Sequence, residues 1–409
     1  MNVVFDSRFS LTDESGSWPL RYFEGDPQEF RRHAYGASIV RFDVDRTKDL
    51  VSALVALDGW AREVLLQKED DAVMRSEVDR QELNSDLAMT EPEQLISIPL
   101  VTRWIIYTSG TTSKPNKVSH TLASLTKTVK KGESIQTLKW GLLYEPTKMA
   151  GLQVVLQAMV AGSELVCPSS DADFLEKLRF LRRHSVTALS GTPSMWRRIL
   201  QSGLSNGWNL DQITLGGEIA DQKLLDGLSD AWPKARIRHI YASTETGVVF
   251  SVQDRQEGFP VFFLNEQHEG PKLRIIDGIL EVYIPNSDFA DTDGFVSTGD
   301  VVEISGERAL FRGRASGSIN IAGAMVLPED VERLIRSHPD VQEALVSPRR
   351  NAFSGTVLVA QIVVRENSTL TEGELRSWIK ARAPRHFVPA SIRFVDLIGL
   401  TNAGKATRV

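Results

Sequence analysis

Short apolar runs alternate with amphipathic helical patterns between about residues 100 and 270 of this 409-residue chain. Residues 104–107 form an apolar run of strand length, and residues 151–160 place apolar side chains on one helical face. A further helix is predicted to begin at Thr192 as its N-cap, with Pro193 in the first turn. This alternation is typical of an α/β domain, in which helices cover largely parallel sheets. A chain of this length has room for two or three domains.

The pattern changes after about residue 270. An Asp-Gly pair at residues 277–278 lies between two apolar alternations and predicts a β-hairpin. A capping box at residues 371–374 predicts one of the later helices. We therefore expect a large N-terminal α/β domain with parallel and mixed sheets over residues 1–314. A small, mobile α+β domain is expected over residues 315–409, joined through a glycine-flanked hinge.

Composition excludes several classes of protein. Lys and Arg number 47 and Asp and Glu number 53, so the formal net charge is −6. This balance argues against a mainly electrostatic nucleic-acid binder. Cys167 is the single cysteine, so no disulfide forms within the chain, and a reducing cytoplasm is the expected location. No apolar run approaches the length of a membrane helix, and residues 1–23 lack the pattern of a signal peptide.

A loop rich in Ser, Thr and Gly follows the predicted strand, over residues 108–117. Its backbone amides, its hydroxyls and the lysines Lys114 and Lys117 can surround phosphate oxygens. It is not a Walker A loop, because Gly110 is not followed by the Gly-Lys-Ser/Thr sequence which that motif requires. The alternative is a solvated surface loop.

Four further segments carry polar side chains beside predicted turns. Tyr241 offers an aromatic face for a base, and Glu245 offers a hard oxygen ligand for Mg²⁺. Asp300 follows a Ser-Thr-Gly turn and can accept both hydroxyls of a ribose. Arg314 can reach a sugar or a phosphate, and Lys405 follows a Gly turn near the end of the chain. Taken singly, these residues are better explained as ordinary turn residues or surface charges.

Together and in this order, these segments resemble the adenylate-forming superfamily, which comprises acyl- and aryl-CoA synthetases, luciferases and the adenylation domains of nonribosomal peptide synthetases. The resemblance covers about residues 100–409 and rests on Tyr-Thr-Ser-Gly-Thr-Thr, Ser-Thr-Glu, Thr-Gly-Asp, Gly-Arg and a terminal Gly-Lys. It implies ATP and Mg²⁺ as cofactors. Because the phosphate loop comes earlier than in most members, we expect the large domain to be truncated at its start.

The resemblance also implies a role for each matched residue. Lys405 would bridge the acid and the α-phosphate, Thr244 would contact the α-phosphate, and Glu245 would bind Mg²⁺. Asp300 would hold the ribose, with Arg314 nearby. The phosphates would be held by Thr108, Ser109, Gly110, Thr111, Thr112 and Lys114. The adenine side of the site would include Gly216, Gly217, Glu218, His239, Tyr241, Ala242 and Ser243.

The implied chemistry explains the two-domain layout. A carboxylate that attacks a phosphate is one anion approaching another, so the site must supply positive charge, which Mg²⁺ and Lys405 would provide. The second half-reaction needs Lys405 withdrawn so that a thiol can enter. A small domain turning about residues 314–317 would serve both steps.

Some positions depart from the family pattern. Asn116 stands where the phosphate loop normally has lysine, and Asn320 stands where a lysine normally follows the hinge. The hinge has Ser316 in place of a charged residue, and Gly399 replaces a proline before the final Leu-Thr. These changes leave ATP chemistry as the expectation and bear on its rate and on the thiol-accepting conformation.

The acid pocket is expected to include Tyr144, Glu145, Lys148 and Gly151. Glu145 would suit the amino group of an amino acid, whereas Lys148 would suit a second carboxylate or an acidic thiol carrier. Rim charges without a role in substrate binding are the alternative.

The sequence therefore predicts an acid–thiol ligase that converts an aryl or acyl carboxylic acid to its acyl-adenylate and then to a thioester. The acyl acceptor would be CoA or the phosphopantetheine of a separate acyl carrier protein. We expect no nucleic-acid partner and no membrane span. A stand-alone amino-acid adenylation enzyme is one alternative, and a non-catalytic scaffold that binds nucleotide or acyl ligands is another.

Overall fold

A computed structural model describes the chain in two compact units. The first comprises residues 1–190 and 207–211, and the second comprises residues 191–206 and 212–409. The residues that the structure describes are 4–24, 39–43, 47–59, 61, 63–67, 101–107, 117–243, 247–265, 270–284, 290–321, 323–351, 355–401 and 403–407.

The first unit contains two sheets made mostly of parallel strands. The strands are β1 Ser10–Asp13, β2 Gly16–Pro19, β3 Ile39–Asp43, β4 Glu63–Gln67, β5 Arg103–Tyr107, β6 Lys117–His120, β7 Lys139–Gly141, β8 Glu164–Val166 and β9 Ala188–Gly191. One sheet has the order β3-β4-β5-β6, in which β6 pairs antiparallel with β5. The other has the order β9-β7-β8-β1-β2, in which β2 pairs antiparallel with β1.

Each helix of the first unit buries apolar side chains. They are Leu20–Glu24, Thr47–Leu57, Leu122–Thr126, Glu133–Gln136, Met149–Ala161 and Phe174–Arg183. The helix predicted over residues 151–160 is confirmed as Met149–Ala161. Its predicted apolar face is fully buried, and consists of Leu152, Val155, Leu156 and Met159.

The second unit begins with a helix that the sequence predicted well. Thr192 caps the helix Pro193–Gln201, because its Oγ1 accepts a hydrogen bond from the backbone N–H of Met195 at 3.1 Å. Proline in the first turn costs no helical hydrogen bond there. The other helices of this unit are Gln222–Ala231, Pro328–Arg336 and Glu372–Lys380, and its 3₁₀ turns are Val261–Leu264, Ala315–Gly317 and Arg385–Phe387. Within the described ranges, no helix of either unit is long and apolar enough to cross a membrane.

Four groups of strands follow one another along the second unit. They are β10 Gln212–Gly216, β11 Arg236–Ser243, β12 Gly247–Val252, β13 Phe259–Pro260, β14 Leu273–Ile276, β15 Ile279–Tyr283, β16 Phe295–Ser305, β17 Arg308–Arg314, β18 Ile319–Ile321, β19 Ala324–Val326, β20 Val341–Asn351, β21 Gly355–Val364 and β22 Ser391–Phe394. Strand β11 is parallel to β10 and antiparallel to β12. The antiparallel order β13-β17-β16-β15-β14 follows, then the hairpin β18–β19, then the order β20-β21-β22.

Turn and cap chemistry fixes the later elements. The predicted hairpin is confirmed, and its turn residues Asp277 and Gly278 have φ of 49° and 77°, as a tight two-residue hairpin turn requires. The capping box at Thr371 is confirmed as well, since Thr371 and Glu374 exchange side chain to backbone hydrogen bonds. The last part of the chain has an apolar core of its own, to which Val331, Ile335, Val341, Val346, Ile362, Leu375 and Ile379 contribute fully buried side chains.

Candidate active site

Two of the predicted segments lie outside the described residues, although the structure shows where they begin and end. They are Thr244 with Glu245, and the phosphate-loop positions Thr108, Ser109, Gly110, Thr111, Thr112 and Lys114. The phosphate loop leaves β5 after Tyr107 and rejoins the sheet at Lys117, which pairs with Tyr107 across the two strands. Ser243 and Gly247 are paired in the same way around the second segment. Both predicted segments therefore connect neighbouring strands.

The predicted adenine-side residues lie together at one sheet edge. Strands β10 and β11 are parallel, and Gly216 is paired with Ile240. Gly217, which follows β10, and Tyr241, which follows the paired Ile240, therefore lie at the same carboxyl edge. Ligands of open α/β sheets bind at such an edge, where the strands end and loops diverge.

The C-terminal tail forms a small loop that carries Lys405. An antiparallel bridge joins Leu400 to Ala406. The backbone N–H of Thr401 donates to the carbonyl of Lys405 at 2.7 Å, and the N–H of Gly404 donates to the carbonyl of Thr401 at 2.8 Å. These bonds fix the backbone at Lys405 while its side chain stays exposed.

This tail is attached to the start of the helix Pro193–Gln201. The hydroxyl of Thr192 donates to the carbonyl of Gly404. Glu218 connects the same two parts: it accepts from the N–H of Ser194 at 2.9 Å and from the N–H of Ala406 at 3.1 Å. A carboxylate is favoured at this place because the free N–H groups of a helix N-terminus carry partial positive charge. The carboxylate of Glu218, which was expected on the adenine side, therefore receives the tail.

Docking of the tail brings Lys405 to the edge of the sheet. Gly217 has φ of 81°, a conformation that favours glycine. A Cβ atom at Gly217 would lie 3.6 Å from Cε of Lys405. The exposed ammonium group of Lys405 is thus held beside the residues that follow β10, where it can stabilise an anion.

Asp300 is held between two donors. The hydroxyl of Tyr241 donates to its Oδ2 at 2.5 Å, and Nε of Arg314 lies 2.9 Å from its Oδ1. Strand pairing explains the second contact, since Asp300 and Arg314 face each other across β16 and β17. The carboxylate is 14% exposed, so it is oriented by these partners and still reachable. This is a suitable arrangement for accepting hydrogen bonds from vicinal hydroxyls.

The ring of Tyr241 packs against two phenylalanine rings. It lies nearly parallel to the rings of Phe250 and Phe311, at centroid distances of 5.1 Å and 5.0 Å. The ring therefore contributes to the aromatic core, and its role beside a base stays a prediction. Burial, together with the negative charge of Asp300, raises the pKa of the Tyr241 hydroxyl, which therefore remains a hydrogen-bond donor.

His239 is the half-buried residue of β11 that precedes Ile240, and burial lowers its pKa to about 4. Its folded pKa lies below the ordinary value of 6.5, so the unfolded chain binds the proton more tightly between these values. We expect the free energy of unfolding to fall as the pH drops from 6.5 to 4. The variant His239→Gln should show a shallower fall when urea unfolding is followed across this range, and an unchanged slope would contradict the assignment.

Three of the residues predicted for the acid pocket, Tyr144, Glu145 and Lys148, precede the helix Met149–Ala161 of the first unit, and Gly151 lies in its first turn. Tyr144 is buried. The carboxylate of Glu145 accepts from the hydroxyl of Thr147 at 3.3 Å, and the carbonyl of Glu145 accepts from the N–H of Lys148 at 3.2 Å. A Cβ at Gly151 would lie 2.2 Å from that carbonyl, so only glycine fits. Their role in acid binding stays a prediction.

The metal prediction rests on Glu245, which lies outside the described residues. In the part of the chain that the structure describes, no three His, Cys, Asp or Glu side chains come together as a metal site. A single carboxylate beside substrate phosphates is nevertheless the donor set that Mg²⁺ commonly uses in nucleotide sites. The predicted donor chemistry therefore suits Mg²⁺.

Comparison with protein-family models identifies the family to which this chain belongs. A model described as AMP-binding enzyme matches residues 39–267, and a model described as AMP-binding enzyme C-terminal domain matches residues 330–405. The chain belongs to the AMP-binding enzyme family. Members of this adenylate-forming superfamily are ligases that form acyl-adenylates and release pyrophosphate. The resemblance seen in the sequence and the predicted fold class are both confirmed.

Curated relatives of this AMP-binding family member include two kinds of enzyme. Surfactin synthase subunit 1 of Bacillus subtilis is 25% identical over 390 residues, which cover 83% of this chain and 11% of that protein. 4-Coumarate–CoA ligase 2 of Nicotiana tabacum is 23% identical over 359 residues, which cover 78% of this chain and 65% of that protein. The chain thus spans less than two thirds of either relative.

Solved structures agree on the fold. The anthranilate CoA ligase AuaEII in complex with anthranoyl-AMP has a TM-score of 0.74 at 14% identity, covering 97% of this chain and 92% of that one. ATP-bound MatB from Rhodopseudomonas palustris has a TM-score of 0.70 at 18% identity, covering 98% and 94%. At 14% and 18% sequence identity, these structural similarities establish the fold of this chain and nothing more.

Proposed function

We propose that this chain activates a carboxylic acid with ATP, forming an acyl-adenylate and pyrophosphate, and then transfers the acyl group to a thiol. The observation that carries the proposal is the docked tail, which holds Lys405 beside Gly217. The same sheet edge also carries Tyr241, which orients Asp300. Adenylate formation needs a cation where negative charge develops, and a carboxylate that binds the sugar would position the nucleotide beside it.

Each residue has a distinct task in this proposal. Asp300 binds the ribose hydroxyls and fixes the position of the α-phosphate. The ammonium group of Lys405 lies between the acid and that phosphate and offsets the repulsion between the two anions. Thr244 and the loop at residues 108–114 would bind phosphate oxygens, and Glu245 would hold Mg²⁺. When bound, Mg²⁺ would neutralise charge on the phosphates.

The second step requires the tail to leave. The contacts that dock it are hydrogen bonds from Thr192 to Gly404 and from Ala406 to Glu218. Water can replace such bonds at low net cost, so the tail can undock. The space vacated by Lys405 would admit the thiol of CoA or of a carrier-bound phosphopantetheine. The domain boundary near residue 314 would act as the hinge.

An aryl or acyl acid is the proposed substrate class, and an amino acid is the second candidate. The relatives named above include a peptide synthetase and an aryl-CoA ligase. Glu145, the residue that would bind an amino group, has its carboxylate engaged by Thr147 at 3.3 Å. This local partner favours the aryl or acyl acid.

Exchange of labelled pyrophosphate into ATP tests the proposal. We expect exchange that depends on one class within a panel of aryl, fatty, keto and amino acids, and a hydroxamate should form when hydroxylamine is added. Thioester formation is then measured with CoA and with a phosphopantetheinylated carrier protein. Protein that binds ATP but gives no exchange with any acid would favour a nucleotide-binding scaffold and contradict the proposal.

A further inference from the structure

Four charged side chains form a closed ring in the second unit. Arg197 lies 2.7 Å from a carboxylate oxygen of Asp221 and 2.7 Å from one of Glu343. Arg336 completes the ring, at 2.9 Å from Asp221 and 3.3 Å from Glu343. Each carboxylate therefore lies between two guanidinium groups. None of the four side chains is more than 13% exposed.

The ring connects two parts of the chain that the proposed mechanism moves relative to each other. Arg197 and Asp221 precede the predicted hinge by about a hundred residues. Arg336 and Glu343 lie within residues 330–405, the part matched by the C-terminal family model. Two of the four ion pairs, Arg197 with Glu343 and Arg336 with Asp221, thus cross from one part to the other.

A lysine adds a second connection at the same place. Nζ of Lys223 donates to the backbone carbonyls of Arg336 at 2.8 Å and of Val341 at 2.7 Å. Arg336 is the last residue of its helix, where unpaired carbonyls carry partial negative charge and attract cations. Lys223 and the ring therefore both contact the C-terminal end of the helix Pro328–Arg336.

Each side of the connection keeps an ion pair of its own. Arg197 keeps Asp221 when the two parts separate, and Arg336 keeps Glu343 and, at 3.7 Å, Glu332. A buried ion pair that loses one partner is strongly destabilised, because a charge is left without compensation. Here each of the four side chains keeps one oppositely charged partner on its own side after separation, and water can solvate both exposed pairs. The ring is built for reversible docking.

Two members of the ring, Asp221 and Arg336, have their charged forms stabilised by their neighbours. Burial alone would raise the pKa of Asp221, but the positive charges of Arg197 and Arg336 outweigh it and lower the pKa to about 2. Arg336 keeps its charge as well, since the neighbouring carboxylates raise its pKa despite burial. The pair of Asp221 with Arg336, which crosses between the two parts, is therefore an ion pair.

One helix links the ring to the catalytic lysine. Thr192, the cap of the helix Pro193–Gln201, contacts Gly404 next to Lys405, and Arg197 of the same helix belongs to the ring. Five residues of helix span about 7.5 Å. Two contacts so close together on one rigid element restrict the tail and the C-terminal part to one docked position.

We propose that Arg197, Asp221, Arg336 and Glu343 form a reversible latch that holds the C-terminal domain in the position where Lys405 reaches the site. These four residues, called the latch below, are positioning residues for the adenylation half-reaction. The expected kinetic effects of the latch rest on the proposed function. The docking of the C-terminal domain does not depend on any activity and can be measured without it.

The variant Glu343→Gln tests the latch through kinetics. It removes the charge of one carboxylate and keeps its size, so the docked state becomes less populated. We expect kcat for acid-dependent pyrophosphate exchange to fall by about tenfold or more, with KM for ATP unchanged within about twofold. Thioester formation from supplied acyl-adenylate should keep its rate or become faster. Glu372→Gln, which removes an exposed pair with Arg376 in the same domain, is the matched control.

A position measurement separates the latch from the proposed function. Nitroxide labels on Lys234→Cys and Lys380→Cys, both exposed, report the distance between the two parts by double electron–electron resonance. Cys167 is buried and does not take a label. We expect one main distance in the parent protein and a second population after Glu343→Gln or, as a variant outside the ring, Lys223→Met.

The outcomes are distinct. Unaltered distance distributions in both variants, with thermal melting showing folded protein, would overturn the latch even if the parent protein is active. Equal losses in exchange and in thioester formation would also overturn it, because a general structural role would explain them. A parent protein without exchange but with a shifted distance in both variants would refute the proposed function and leave the latch supported.

Discussion

Replacing Lys405 with alanine lowers the rate of acyl-adenylate formation by about 10²–10³-fold, the usual cost of removing one group that stabilises developing charge in a transition state. The ammonium group of Lys405 is the cation that the docked tail places beside Gly217. Its removal leaves the acid and the α-phosphate facing each other without that charge. The measurement is acid-dependent pyrophosphate exchange at saturating ATP, so that the loss appears in kcat.

The same variant should still consume a supplied acyl-adenylate, because in the proposed mechanism the thiol step takes place with the tail undocked. Lys380→Ala, which removes an exposed lysine from the helix Glu372–Lys380, is the control and should change neither step. A Lys405→Ala protein that retains full exchange would show that another cation performs this task. Loss of both steps in a folded protein would contradict alternation between two domain positions.

Replacing Asp300 with alanine weakens ATP binding by about 10–100-fold. A hydrogen bond to a charged group contributes about 1.5–3 kcal/mol, and this carboxylate is expected to accept from the ribose. Tyr241 and Arg314 orient it, at 2.5 Å and 2.9 Å, so neither can replace it. The effect should appear in KM for ATP more than in kcat, because the carboxylate binds ATP before and during the reaction alike.

Deoxynucleotide substrates test whether Asp300 binds the ribose hydroxyls. The parent protein should discriminate against 2′-deoxy- and 3′-deoxy-ATP, which lack a ribose hydroxyl that would bind Asp300. The variant Asp300→Ala should lose most of that discrimination, because it has no carboxylate to accept a hydrogen bond from either hydroxyl. Asp293→Ala removes a well-exposed carboxylate ahead of the same strand and serves as the control. Equal discrimination by the parent and by Asp300→Ala would show that the ribose binds elsewhere.

The sequence predicted those features of the fold that a few neighbouring residues determine. The cap at Thr192, the hairpin turn at residues 277–278 and the capping box at residues 371–374 each depend on a few neighbouring residues. The same holds for the helix Met149–Ala161, whose apolar face is visible in the spacing of its side chains. These features were confirmed because their signals lie within a short stretch of chain.

Contacts between distant residues could not be predicted in this way. Glu218 and Ala406 are separated by 188 positions, and Arg336 and Asp221 by 115. Nothing in either local sequence marks the partner. The resemblance placed Glu218 on the adenine side, but its carboxylate binds the tail. The stacking of Tyr241 on Phe311 could not be predicted either, because Phe311 lies in a different sheet.

The departures from the family pattern now have a partial structural account. Asn320, which stands where the family has lysine, accepts a hydrogen bond from the N–H of Gly323 at 2.8 Å and closes the hairpin β18–β19. It serves a turn and supplies no cation. Ser316 lies in the short 3₁₀ turn Ala315–Gly317, next to Arg314. In the proposed mechanism these two residues would affect the hinge and the thiol step, whereas Lys405 and Asp300 are the residues proposed for adenylation.

Transfer of oxygen from the acid to AMP tests the central claim most directly. When the carboxylate of the acid attacks the α-phosphate and a thiol later displaces AMP, one carboxylate oxygen remains on the phosphate. With acid labelled by ¹⁸O in its carboxylate, mass spectrometry should find one labelled oxygen in the AMP that is released. Unlabelled AMP, or label in inorganic phosphate, would contradict the formation of an acyl-adenylate by this protein.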